Sequence, residues 1–467
     1  MRGLHALLPT LSSDFSGACS ALYELGGLVV VHGPHGCYDN VIVRDEARAA
    51  RTPSRVFGSA LSDMDATFGD DEKLIARTCE TFAEVGGRFI ALLGTPSTMV
   101  IGTDYDAVAA EMGRRCGVPA FAVATSGEHS YAWGAGQALL EVAQAAVAPM
   151  RRQDGTTRTA NLPRTANLLG ATPLDLTGQA VVNAARSVLD TGGWHVASCW
   201  AMDSSLEELA AGLDAQVNVV LTRSGLPLAR WMRDELGIPY VWGLLSGEHA
   251  AAETLERMER AASGASGEPV APLPGETGEG RGQGGQSGQG GDVPDDAHAQ
   301  GGTPLPRRAL VVGDRVLAES MRRTLELDAG FGQVDVATLA SDDDPASGPG
   351  DTSAPRGDDI PPARPGDVLA ADEGQLVHLV RDGGYDLVVG DPLLASLVNA
   401  GTTRPAFIPV PWVALAGRLV WPGSVCPYGP RFLDAVRRPR LAAEMQAVSG
   451  LPHAEIAPNV DVALAQW

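Results

Sequence analysis

The strongest constraint on the fold of this chain is a repeated alternation. Short apolar runs recur between helix-length amphipathic stretches: Gly27–Val31, Phe89–Leu93, Ala120–Ala124, Trp194–Ser198, Val217–Leu221, Pro239–Trp242, Ala309–Val312, Val334–Ala337, Leu387–Val389 and Ala406–Pro409. Helices are predicted over 72–85, 104–115, 134–148, 176–190, 204–213, 226–236, 248–263, 314–327, 374–382 and 430–447. Strand, helix, strand repeated this often means βαβ units and parallel sheets. Several runs end in Gly, Thr, Ser or Asp, as in Gly94-Thr95, Thr125-Ser126-Gly127 and Gly390-Asp391. In open α/β sheets ligands sit at that edge. The fold class is therefore α/β, with three Rossmann-like parallel-sheet units expected over residues 1–160, 161–264 and 307–467.

Two stretches interrupt the alternation. Residues 265–306 are rich in Gly, and residues 341–366 in Asp, Pro and Gly. Neither holds enough apolar surface to offset the entropy of ordering it, so both are expected to be disordered: a linker between units and an insertion in the third.

Dinucleotide and ATP sites are not indicated. No GxGxxG follows a first strand, and Lys73 is the only lysine, outside any GxxxxGK[ST] motif. The net charge of −22 argues against nucleic acid as the main ligand, because phosphate binding needs clustered positive charge. No run of 18 or more apolar residues suggests a membrane span, and the first residues lack a secretory h-region, so a cytoplasmic location is expected.

Six cysteines are scattered, at positions 19, 37, 79, 116, 199 and 426, with no CxxC among them. In a long cytoplasmic chain this is no disulfide scaffold. Cys19 is expected at the start of a short helix, where backbone N–H groups favour a thiolate. Cys37 closes the turn Gly33-Pro34-His35-Gly36-Cys37 just past the first strand. Two thiolates held on rigid termini suit an iron–sulfur cluster, but two do not make four ligands.

Several landmarks now fall into an order: the helix cysteine, the GPxGC turn, Ile101-Gly102-Thr103-Asp104, Gly117-Val118-Pro119, Ala215-Gln216-Val217-Asn218, Gly237-Ile238-Pro239-Tyr240, Gly390-Asp391 and Pro427-Tyr428. The chain thereby resembles the nitrogenase component 1 superfamily over nearly its whole length, as a divergent member and not a true nitrogenase. The resemblance implies three Rossmann-like units around a central cavity. It also implies a dimer, homodimeric or formed with a paralogue, whose interface carries a [4Fe–4S] cluster held by Cys19 and Cys37 of each chain. The implied electron donor is an iron protein-like ATPase, and the implied acceptor a small-molecule substrate.

The departures matter as much. Thr95-Pro96 stands where the family's nitrogenase subunits carry a third cluster cysteine. Thr222 and Gly429 fall where nitrogenase anchors its iron–molybdenum cofactor, so that cofactor is not expected. Glu128 and His129, after a strand end, are candidate proton donors, and Cys426 is a further site candidate. Cys199, Cys79 and Cys116 read as buried or half-buried thiols. His35 could tune a cluster or be a plain turn residue, and Arg223 and His249 could hold an anionic substrate or be solvated loop residues. The expected function is a nitrogenase-like oxidoreductase component. The alternatives are a metal-cluster assembly scaffold and a non-metal binding protein on the same fold.

Overall fold

The computed structural model describes residues 7–50, 53–69, 71–154, 164–244, 247–264, 307–339, 363–400, 405–417, 424–438 and 440–441. The linker expected over 265–306, and the insertion expected over 341–366 up to residue 362, lie outside these.

The first sheet holds β1 (Leu28–Val31), β2 (Val56–Gly58), β3 (Ile90–Leu93) and β4 (Ala120–Val123), in the order β2-β1-β3-β4 with every pair parallel. The second holds β5 (Thr165–Leu169), β6 (His195–Cys199), β7 (Val217–Val220) and β8 (Tyr240–Trp242), in the order β6-β5-β7-β8, again parallel. The third holds β9 (Arg308–Val312), β10 (Gln333–Leu339), β11 (Val368–Ala370), β12 (Leu387–Gly390), β13 (Ala406–Pro409) and β14 (Arg440–Leu441). Its order is β11-β10-β9-β12-β13-β14.

The expectation of purely parallel sheets needs one correction, because β14 runs antiparallel to β13 at the third sheet's edge. The same stretch corrects a helix. Residues 430–447 were expected to be helical throughout, but the helix spans Pro430–Arg437 and Arg440 is already in a strand. Pro439 accounts for the break, since the residue before a proline is steered out of the helical region and the proline ring clashes with the preceding turn.

Strand β5 has no counterpart among the expected runs. It sits centrally in the second sheet although it carries a buried polar residue, Asn167. The Asn167 amide donates to the Gly212 carbonyl and the Asn218 side-chain oxygen, both at 2.8 Å, and its own oxygen accepts from Ser198 at 2.7 Å. A buried amide so satisfied carries no desolvation penalty, which lets Asn stand where an apolar residue is the rule.

The units are clasped by two helices and a polar knot. Helix Asp14–Leu22 crosses helix Tyr131–Val142 at a glycine pair: a Cβ on Gly17 would stand 1.9 Å from the Tyr131 carbonyl oxygen, and one on Gly134 the same distance from that of Asp14. Only bare backbone permits that approach. The wholly buried Tyr131 hydroxyl donates to Asp175 at 2.5 Å and accepts from the Trp412 indole at 2.8 Å, joining residues that follow all three sheets' strands. Among the described residues no helix is long and apolar enough to cross a membrane.

Candidate cluster edge

Three segments leave the C-terminal ends of β1, β2 and β3 and are stitched together. The Thr95 hydroxyl donates to the His32 carbonyl at 2.9 Å, the His32 ring meets the Ser59 hydroxyl at 2.9 Å, and the Leu61 amide donates to the Gly33 carbonyl at 2.9 Å. Burial holds the His32 imidazole below its ordinary pKa, so it sits neutral in this lattice.

Cys37 is the third residue of helix His35–Asn40 and is half-buried. Burial raises its thiol, and a hydrogen bond with the Thr95 side chain pulls the other way. Thr95, in the place of the missing third cysteine, thus lies against the sulfur of the second. A Cβ on the neighbouring Gly36 would meet nothing within 4 Å, so the turn faces open space.

Cys19 corrects an expectation. It is the sixth residue of helix Asp14–Leu22, beyond the first turn whose free N–H groups were expected to favour a thiolate. It is also fully enclosed, and its thiol is pushed well above the ordinary value, first by burial and then by the nearby Glu46 and Asp45 carboxylates. The segment bearing those carboxylates lies along the helix. Ser16 donates to Asp45 at 2.5 Å, and Arg48 spans from the Ser20 carbonyl, at 2.8 Å, to Glu46, at 2.7 Å.

The donor set therefore fits a cluster in part. Cys37 is half-buried in the short helix after β1, Cys19 is closed in, and among the described residues no three His, Cys, Asp or Glu side chains converge on a metal position. A complete set of four thiols needs a second chain.

Six of the nine large hydrophobic side chains exposed among the described residues belong to this edge: Val43, Met64, Phe68, Met99, Val100 and Ile101, with Val100 at 88% and Val43 at 85% exposure. They sit on helix Asp63–Phe68, helix Pro96–Ile101 and the turn of helix after Cys37. Sequence periodicity misses them because each element is only five or six residues long.

The other candidates fall elsewhere. His129 stacks on Trp133 with ring centroids 4.1 Å apart, and its Nδ1 lies 3.6 Å from the buried carboxylate of Asp14, while Glu128 is exposed. Cys426 lines a cavity of about 160 Å³ with Asp175 and Thr177, and also a groove of about 690 Å³ with His249, Asp328 and Arg431. No described hydrogen bond or cavity joins Cys426 to Glu128 or His129. His249 is exposed and paired with Asp328 at 3.0 Å, and His35 is exposed, 3.9 Å from Asp39. Arg223 is no solvated loop residue: it is buried, and its backbone amide donates to the buried Asp314 carboxylate, tying the second sheet to the third. Cys199 is fully buried, its thiol raised to about 12 by burial. Thr222, also buried, donates to the Gly170 carbonyl at 2.7 Å.

Three linked α/β sheets with an apolar, cysteine-bearing edge define a component 1-like class of fold. The chain superimposes on "Nitrogenase Cp1 at pH 6.5" with a TM-score of 0.57, over 97% of this chain and 91% of that one, at 14% identity. A second structure, "Nitrogenase Cp1 at pH 5", gives 0.52 over 87% and 84%. The family model "Nitrogenase component 1 type Oxidoreductase" matches residues 13–391, and the chain belongs to that family. Among curated relatives, it is 29% identical over 52% of its length, and 44% of theirs, to the nitrogenase iron-molybdenum cofactor biosynthesis protein NifE of Bradyrhizobium diazoefficiens. It is 28% identical over 26% of its length, and 32% of theirs, to component CfbD of the Ni-sirohydrochlorin a,c-diamide reductive cyclase complex of Methanothermobacter thermautotrophicus. The chain spans about half the length of these relatives or less.

Proposed function

We propose that the chain is a component 1-type oxidoreductase subunit that pairs across its first-sheet edge with a second copy or a paralogue. Cys37 and Cys19 of both chains would hold one [4Fe–4S] cluster, and an iron protein-like ATPase would donate the electrons. The observation that carries this reading is the set of exposed apolar side chains on the segments that follow β1, β2 and β3, namely Val43, Met64, Phe68, Met99, Val100 and Ile101, with the half-buried Cys37 on the first of those segments. Apolar patches of this kind mark surfaces that another protein covers. A bound cluster supplies one-electron transfer. The chain's own residues supply the rest: Cys37 would give up its proton on binding iron, Thr95 steadies that sulfur through their hydrogen bond, and the exposed apolar side chains would exclude water once covered.

A second reading, an assembly scaffold that holds cluster cargo without turnover, is favoured by the likeness to NifE, a cofactor biosynthesis protein by name. One experiment separates the readings. Anaerobically purified protein is assayed for iron and acid-labile sulfide, and its electron paramagnetic resonance spectrum is recorded after dithionite. About four irons per pair of chains, with a reduced-cluster signal, is the result expected by either cluster reading. Reoxidation of the reduced cluster by candidate unsaturated substrates, with an iron protein-like ATPase, ATP and dithionite re-reducing it for further turnover, supports the oxidoreductase. Transfer of iron to an acceptor apoprotein without turnover supports the scaffold. No iron after reconstitution contradicts both.

A further inference from the structure

We propose that Cys79 and Cys116 form an oxidisable dithiol, a site at which a low-molecular-weight disulfide converts two thiols into a bond linking two outer helices of the first unit. Cys79 lies in the middle of helix Asp71–Val85, and Cys116 is the last residue of helix Tyr105–Cys116. Their sulfurs stand 3.0 Å apart, with Cys116 donating. A disulfide bond is about 2.05 Å long, so the sulfurs need to close by only about 1 Å.

The pair is held at that distance by structure on both sides. Beneath it, Leu74 and Ile75 of the first helix pack with Val108 and Met112 of the second in one buried cluster. Beside it, Arg115 reaches across to Glu72 with N···O distances of 2.6 and 2.7 Å, while its Nε donates to Glu111 at 2.7 Å. Both sulfurs are half-buried and so open to a small oxidant, whereas Cys19 and Cys199 are fully enclosed. Neither Cys79 nor Cys116 belongs to the candidate cluster edge, and no part of the proposed function uses them.

The chemistry balances with a disulfide such as oxidised glutathione as the oxidant. Burial, and then the Cys79 sulfur beside it, push the Cys116 thiol up to about 12. Cys79, which accepts the hydrogen bond from Cys116, gives up its proton and attacks one sulfur of the oxidant, expelling one glutathione thiolate. Cys116 then loses its proton and attacks the Cys79 mixed disulfide, expelling the second. Two thiols are oxidised, one disulfide is reduced to two thiols, and the two protons leave with the glutathione. The product closes a loop between positions 37 apart in sequence and fixes the two helices that flank β3.

The test is peptide mapping of the full chain after exposure to oxidised glutathione and alkylation of remaining thiols without reduction. The expected product is a peptide pair joining Cys79 to Cys116, two hydrogens lighter than the separate peptides. It should form faster as pH rises, and dithiothreitol should abolish it. In Cys116→Ser the resolving thiol is gone, and Cys79 should instead retain one glutathione. Full alkylation of both cysteines in the parent, stable glutathione on either one there, or a link from either to another cysteine would each overturn the proposal. The far-ultraviolet circular dichroism of Cys116→Ser, matched to the parent, shows that the variant is folded; should it not fold, Cys79→Ser serves, with Cys116 then expected to stay alkylatable.

Discussion

The edge of the first sheet and the seam between the second and third sheets are built on opposite plans. At the seam, polar groups are buried and answered: Tyr131 with Asp175 and Trp412, Thr172 with Asp175 at 2.7 Å, and the Asp391 carboxylate with the amides of Leu393 and Trp412 at 2.9 and 2.7 Å. These pairs are all closed within one chain. At the edge, the backbone stitching among His32, Ser59, Gly33 and Thr95 is just as tight, but the side chains that point away from it are apolar and exposed. Burying a large apolar side chain is worth about 1.5–3 kcal/mol, so these six are the side chains that a second surface would gain most by covering. The seam is held by buried polar pairs, whereas the edge leaves its large apolar side chains in water.

The sharpest way to break this contrast is to remove one thiol from each region. Cys37→Ser should lose nearly all bound iron and the reduced-cluster signal, whereas Cys426→Ser, at the seam, should keep both; equal losses would erase the distinction. Next in size is the apolar rim. Val100→Glu places a charge on the most exposed hydrophobic side chain and should lower dimer affinity by at least about tenfold, seen as a shift toward monomer in sedimentation, with the melting temperature little changed. A variant that remains a dimer would show that the rim is not the interface.

Gly17→Ala probes the clasp on which both regions depend. Its methyl would press on the Tyr131 carbonyl and should destabilise the chain by about 1–3 kcal/mol in denaturant titration. A test confined to one pH window belongs to Asp391. Burial raises its carboxyl to about 7 from an ordinary 3.8, so between those values the folded chain holds a proton that the unfolded chain has released. Its contribution is fully present below about pH 4 and is lost as pH rises to about 7. Asp391→Asn should therefore flatten that part of the stability profile relative to the parent, a difference read from denaturation midpoints across the window.

Most of the fold was legible because it rests on apolar runs. Strand Ala406–Pro409 matches its expected bounds, and Leu28–Val31 and Ile90–Leu93 start one residue late. Strand β5 escaped because Asn167 is acceptable only through Asn218, Gly212 and Ser198, all more than thirty residues away. The candidate site was legible as chemistry more than as geometry. The GPxGC motif placed Cys37 just past β1 but not its half-burial, and Thr95 lies against its sulfur. The enclosure of Cys19 was not readable, because it depends on Asp45, Glu46 and Arg48 folding back along its helix. Nor was the approach of Cys79 to Cys116, since that follows from how two helices pack.

Central to the proposed function is one cluster shared by two chains across the first-sheet edge. Native mass spectrometry of the anaerobically purified protein tests it most directly, by weighing iron and chains together. About four irons on a species of two chains and none on single chains are expected, with iron and the dimer lost together in Cys37→Ser. Four irons on a single chain, or an iron-free dimer that survives reconstitution unchanged, would contradict it.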